Sequence, residues 1–167
     1  MSSMISKFHT GHNYVQIGVV TFDNIAYEHV RLNQYSDTRL IQNKVNKIPF
    51  TGQGTNTGIA LKYILDRGFK PAAGDRPDAK DVLVVLTDGI SINRTHTADQ
   101  AYIFKERHIK VISIGIGRGA NKQELIDMAS VPGYVYQVTD FSKLAIIQNA
   151  IHSLVCNNDG KILPMCN

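Results

Sequence analysis

Val82-Leu83-Val84-Val85-Leu86-Thr87-Asp88-Gly89 is apolar at its first five positions, then turns polar and ends on glycine. A strand wetted on one face alternates apolar and polar side chains, so a run without alternation needs cover on both faces. This stretch therefore predicts a buried strand inside a layered α/β sheet. Lys110–Gly115 (KVISIG) predicts a second such strand, with a helix over Thr97–Glu106 between them. Downstream, Asn121 with Glu124 three residues later makes a capping-box-like start for a helix ending near Ser130. Tyr134–Val138 is a last strand, and Asp140 caps a helix with an apolar stripe of Leu144, Ile147, Ile151 and Leu154. Upstream, Gly68–Asp81 carries Pro71, Gly74 and Pro77 and reads as a surface loop. Before it come a helix over Thr57–Arg67 and a glycine-rich loop at Pro49–Asn56. Ser36 caps a helix over Asp37–Lys47. Tyr14–Phe22 (YVQIGVVTF) reads as a buried strand, turned by Asp23-Asn24 into an edge partner at Ile25–Leu32. Alternation of this kind predicts a doubly wound, mostly parallel sheet with one antiparallel edge strand and helices on both faces.

Composition narrows the function classes. The 167 residues suit one domain with a short tail, long enough to bury about 70% of the unfolded surface. The 43% hydrophobic and 19% charged content exclude a disordered chain. The longest apolar run is the five residues Val82–Leu86, far short of a bilayer span. The first twenty residues lack the apolar core of a signal peptide. Net charge is +4 and the pI is near 9.1, but Lys and Arg are scattered among acids. No basic stripe or aromatic RNA-binding motif accompanies them, so nucleic acid is not an expected partner.

In doubly wound folds, ligands bind at the C-terminal ends of the strands. Three segments end there: Gly52–Gly58, Leu86–Gly89 and Gly115–Gly119. Asp88 closes the most buried strand, and Thr55 sets a hydroxyl before a helix near the same crevice. A carboxylate with a hydroxyl makes a hard-oxygen site suited to Mg²⁺ rather than zinc. Taken singly, each residue has a plainer role. Thr55 or Asn56 serves as a helix N-cap, and Asp88-Gly89 as a strand-to-loop turn.

Taken in order, Val19–Phe22, Gly54–Leu61 (GTNTGIAL), Val84–Gly89 (VVLTDG) and Ile112–Gly117 (ISIGIG) resemble the von Willebrand factor type A domain, above all the modules of matrilins and collagen VI. The resemblance runs from Met1 to about Val155, leaving 156–167 as a tail or linker. It implies a Rossmann-like sheet, a non-enzymatic adhesion role, extracellular matrix or cell-surface partners and secretion as part of a longer precursor. It also implies a metal-ion-dependent adhesion site in which Thr55 and Asp88 bind Mg²⁺ beside a D-x-S-x-S motif. No D-x-S-x-S occurs in this sequence. Met1–Phe8 resembles the end of the family's first helix, so the expectation is a domain whose central first strand is missing, truncated at its N-terminus. A gap is then expected between Tyr14–Phe22 and Val82–Thr87, with Mg²⁺ weakly held or absent.

Other features carry less. Gly115-Ile116-Gly117-Arg118-Gly119 imitates a dinucleotide fingerprint, but as G-x-G-x-G rather than G-x-G-x-x-G. It leaves a nucleotide-binding enzyme fragment as an alternative. An intracellular scaffold of the same fold, as in chelatase and copine-like proteins, is another. Asn93-Arg94-Thr95 is an N-glycosylation triplet. His96 reads as a surface histidine. Family members commonly pair a cysteine after the last helix with one before the first strand. That second cysteine is absent here, which leaves Cys156 unpaired or joined to Cys166.

Overall fold

The computed structural model describes residues 2–49, 51–52, 54–158, 161–162 and 166. In chain order the strands are β1 (Val19–Phe22), β2 (Ala26–Val30), β3 (Val82–Thr87), β4 (Lys110–Ile116), β5 (Val135–Val138), β6 (Asn157–Asn158) and β7 (Lys161–Ile162). The α-helices are α1 (Ser2–Ile5), α2 (Thr38–Val45), α3 (Thr57–Tyr63), α4 (Arg94–Glu106), α5 (Lys122–Met128) and α6 (Leu144–Cys156).

The two unbroken apolar runs pair with each other. β3 and β4 are parallel, in register from Val82 with Lys110 to Thr87 with Gly115, and β5 extends the sheet in parallel beyond β4. Alternate side chains enter two cores. Leu83, Val85 and Val111 meet Leu61, Ala101, Phe104, Leu125 and Met128 on one face. Ile112, Ile114 and Ile116 meet Met4, Leu144 and Ile151 on the other. Both faces are covered by helices, as the missing alternation requires.

The β1–β2 hairpin forms a separate antiparallel ribbon with its own small core of Ile5, Val19, Val30 and Ile41. β1 and β3 are not hydrogen-bonded to each other, and among the described residues no strand lies between them. Residues of both strands line a cleft of about 310 Å³, together with Ala60 and Leu61 of α3.

Several boundaries move. Of the expected strand Tyr14–Phe22 only Val19–Phe22 is extended in a ladder. Tyr14 and His12 give their carbonyls to the Arg76 guanidinium, and Val15 makes a lone bridge with Thr10. Asp37, not Ser36, caps α2, its carboxylate accepting the Arg39 N–H at 2.8 Å. The helix from Thr57 passes into a π-helical turn at Ile64–Gly68. α4 begins three residues before the expected Thr97, because Asn93 caps it by accepting from His96 N–H. Asp140 caps a 3₁₀ turn, Phe141–Lys143, that leads into α6. The tail forms the short β6–β7 pair, and Cys156 and Cys166 are joined in a disulfide.

Candidate functional site

The C-terminal ends of β1, β3 and β4 converge on one surface, and each contributes a turn. After β1, the buried Asp23 accepts from the Ile25 N–H at 3.0 Å and the Tyr27 hydroxyl at 3.4 Å. The backbone bond from Ile25, helped by the Thr51 hydroxyl, holds this carboxyl below its ordinary range. The Asp23 carbonyl accepts from Asn56 N–H at 2.7 Å, which ties the loop before α3 to the end of β1.

Asn56 takes the N-cap of α3, accepting from Ile59 N–H, so Thr55 is not the cap. The Thr55 carbonyl accepts from Ile92 N–H at 2.9 Å and thereby grips the loop after β3. The Asp88-Gly89 turn passes directly over the Thr55 hydroxyl. A Cβ on Gly89 would stand 2.9 Å from Thr55 Oγ1, so glycine is what lets the two segments approach. The Thr87 hydroxyl braces the same turn through Gly89. The structure thus brings Thr55 beside the turn that carries Asp88. Asp88 is exposed, and Ile90 and Ile92 beyond it are exposed at 52% and 65%.

The loop after β4 completes the surface. Gly119 lies against the Asp88 carbonyl with no room for a side chain, and Gly117 turns with φ +74°. Gly115 is closed in by Leu125 and Ala120. Two of the three glycines of the G-x-G-x-G segment are thus filled by the protein's own atoms, and the third makes a tight turn. Nothing in this arrangement favours a dinucleotide. His96 is half-buried against Gly58, closer packed than a free surface histidine.

Glu124 was legible only as a helix-start residue, yet it does more. Asn121 caps α5 by accepting from Glu124 N–H at 3.0 Å, but the Glu124 carboxylate does not return to the cap. At 3% exposure it accepts the Ser91 N–H on both oxygens at 3.1 Å, with Arg94 Nε 3.9 Å away. Burial pushes its pKa up, while the Ser91 N–H and Arg94 oppose that. Thr97 donates to the Ser91 hydroxyl at 2.8 Å, so Ser91 is pinned from two sides. Glu124 and Asp23 position the loops that carry Asp88 and Thr55. Glu124 sits 33 residues from Ser91 in sequence, and only the fold brings them together.

Thr55 and Asp88 supply one hydroxyl and one carboxylate. Mg²⁺ demands near-octahedral oxygen coordination. Among the described residues no group of three or more His, Cys, Asp or Glu could hold a metal ion. On its own this pair does not fit a tight Mg²⁺ site.

Comparison with known proteins gives this surface a context. The chain is 33% identical over 160 residues to the newt Notophthalmus viridescens collagen alpha-1(XII) chain, covering 95% of this chain and 17% of the collagen. It is 27% identical over 158 residues to chicken (Gallus gallus) matrilin-1, covering 93% of this chain and 31% of the matrilin. The chain therefore spans less than a third of the length of these relatives. Among solved structures, proximal thread matrix protein 1 from the mussel byssus, with zinc occupying its MIDAS motif, superposes with a TM-score of 0.85 at 28% identity, over 93% of this chain and 41% of that one. A family model described as von Willebrand factor type A domain matches residues 1–150. With its sheet, its convergent loops and nearly all of its length accounted for, the chain belongs to the von Willebrand factor type A domain family.

Proposed function

We propose that this chain is a non-enzymatic protein-interaction module of a secreted, extracellular matrix-type protein, and that it meets matrix or cell-surface partners through the surface around Thr55, Asp88, Ile90 and Ile92. The observation that carries the reading is the passage of the Asp88-Gly89 turn over the Thr55 hydroxyl, at the strand ends where this fold class binds ligands. The collagen and matrilin relatives support the matrix setting. Exposed isoleucines beside an exposed carboxylate give the surface the apolar and polar mixture of a recognition patch.

The module spans residues 1–155, and 156–167 are a tail or linker in which Cys166 is bonded to Cys156. Thr55 and Asp88 are part of a metal-ion-dependent adhesion site whose D-x-S-x-S segment would lie upstream on the central first strand. That segment would add a carboxylate and two hydroxyls to the oxygens present. Without it, Thr55 and Asp88 hold Mg²⁺ or Mn²⁺ no tighter than an exposed carboxylate does.

Calorimetric titration of three proteins tests this: the 167-residue chain, the chain extended upstream by a D-x-S-x-S strand, and the extended chain with Asp88→Ala. Binding is expected only in the second. Tight, stoichiometric binding by the 167-residue chain that survives Thr55→Ala would place the ligands elsewhere and overturn the assignment.

A further inference from the structure

Asn93-Arg94-Thr95 is the only Asn-x-Ser/Thr triplet in the 167 residues, and the interaction surface proposed above leaves it unused. Such a triplet accepts an N-linked glycan when the chain enters a secretory lumen and the folded protein has room for the sugar.

Room is what the structure provides. Asn93 lies on the connection between β3 and α4, and Asn93, Arg94 and Thr95 are all exposed. Asn93 is the N-cap of the 13-residue α4, its Oδ1 accepting from the His96 N–H at 2.9 Å. That bond engages the oxygen of the carboxamide and fixes which way the amide points. Among the described residues Nδ2 has no hydrogen-bond partner. Glycosylation consumes one N–H of Nδ2 and leaves Oδ1 as it was, so the cap and the sugar coexist. Arg94, between the two acceptor residues, directs its Nε back toward Glu124, 3.9 Å away.

Thr95 has no structural duty that accounts for it. Its hydroxyl makes no hydrogen bond to the described residues, although a hydroxyl at this place is what the triplet requires. Capping does not require it either. Asn56 and Asn121 cap α3 and α5 by the same kind of bond, with Gly58 and Gln123 two residues on.

We infer that Asn93 is an N-glycosylation site, and that its substrate is an oligosaccharide carried on a polyprenyl diphosphate. Nδ2 attacks C1 of the first sugar. The Nδ2–C1 bond forms, the C1–O bond to the diphosphate breaks, one Nδ2 proton is released, and the polyprenyl diphosphate leaves with the bonding pair. The glycan then rises from the residue beside Ile92, which is 65% exposed, and flanks the Asp88–Ile92 surface on its α4 side. The inference rests on the secreted setting proposed above and not on the metal reading of Thr55 and Asp88.

The test expresses the 167-residue chain behind a signal peptide in animal cells. Lysate and medium are both analysed, because glycan transfer meets the chain before it folds. Peptide N-glycosidase in heavy-oxygen water should collapse the chain to one faster-migrating band and leave an isotope-marked aspartate at position 93. Asn93→Asp keeps a capping oxygen but has no amide nitrogen, and it should lose the glycan completely. Thr95→Ala should lose it as well, while Thr95→Ser should retain it. An unmodified Asn93 in a chain whose signal peptide has been cleaved overturns the site and leaves the secreted setting standing, so the two readings fail separately. A glycan that persists in Asn93→Asp also overturns it.

Discussion

The β3–β4–β5 half and the β1–β2 half of this domain are built from similar apolar residues, yet they are finished to different degrees. In the first, β4 is paired on both edges, and Val111, Ile112 and Ile114 are all fully buried. In the second, a hairpin of four- and five-residue strands leans on α2 through Ile41 and Val30, with half-buried side chains over most of its length. The contrast teaches that apolar sequence alone does not complete a sheet. A strand is secure when both edges are paired and both faces covered, and among the described residues β1 pairs with β2 alone.

The largest effect should come from the finished half. Ile112→Ala removes a fully buried side chain from a core that cannot collapse around the hole, and about 4 kcal/mol should be lost. Ile41→Ala, equally buried but beside the looser ribbon, should cost nearer 2 kcal/mol. Amide exchange should then quicken around Val30 while Ile114 stays protected. Equal acceleration at both positions would show one cooperative unit and break the comparison.

An intermediate effect is expected where the halves meet at the loop surface. Gly119→Ala places a methyl group against the Asp88 carbonyl, a backbone atom with little freedom to yield. About 1–3 kcal/mol should be lost, with amide shifts concentrated from Asp88 to Ser91. A neutral substitution would mean that this loop is far less fixed than the Glu124 and Thr55 bonds imply.

The smallest effect concerns the open N-terminal edge of β3. Asp81 is half-buried against Asp75. Burial first, then the neighbouring charge and hydrogen bond, raise its pKa from 3.8 to about 6. The folded chain thus holds this proton more tightly than the unfolded one. The benefit is whole below about pH 4 and is lost as pH rises through 6. Asp81→Asn should therefore stabilise the chain at pH 7 by about 1 kcal/mol, a figure held below the full shift because half the group is exposed, and should change nothing near pH 4. Equal gain at both pH values would point away from titration.

Much of this was legible from residues alone. Val82–Thr87 and Lys110–Gly115 announced a covered parallel sheet because a lack of alternation has one physical meaning, and β3 matches its expected bounds residue for residue. Thr55 and Asp88 were legible as strand-end residues, and the structure sets Thr55 beside the Asp88 turn. What sequence could not show was assembled by long-range contact. Glu124 looked like a capping partner, since periodicity reports the element on which a side chain sits and not the loop it reaches. Tyr14–Gly18 had the apolar character of a strand, but among the described residues its ladder is only the Thr10–Val15 bridge, and pairing is not a local property. The choice between a free Cys156 and a Cys156–Cys166 bridge was likewise open until geometry decided it.

The disulfide has a mechanical consequence. Phe8, just beyond α1, stacks on His152 of α6 with ring centroids 5.2 Å apart, and His152 Nε2 lies 3.6 Å from Cys156 Sγ. Cys166 returns to the same corner, lining a hollow with Ser6 to Thr10. The bond closes the chain between Cys156 and Cys166 into a loop, so tension applied beyond Cys166 would pass across the sulfurs to the end of α6 and bypass the residues between them.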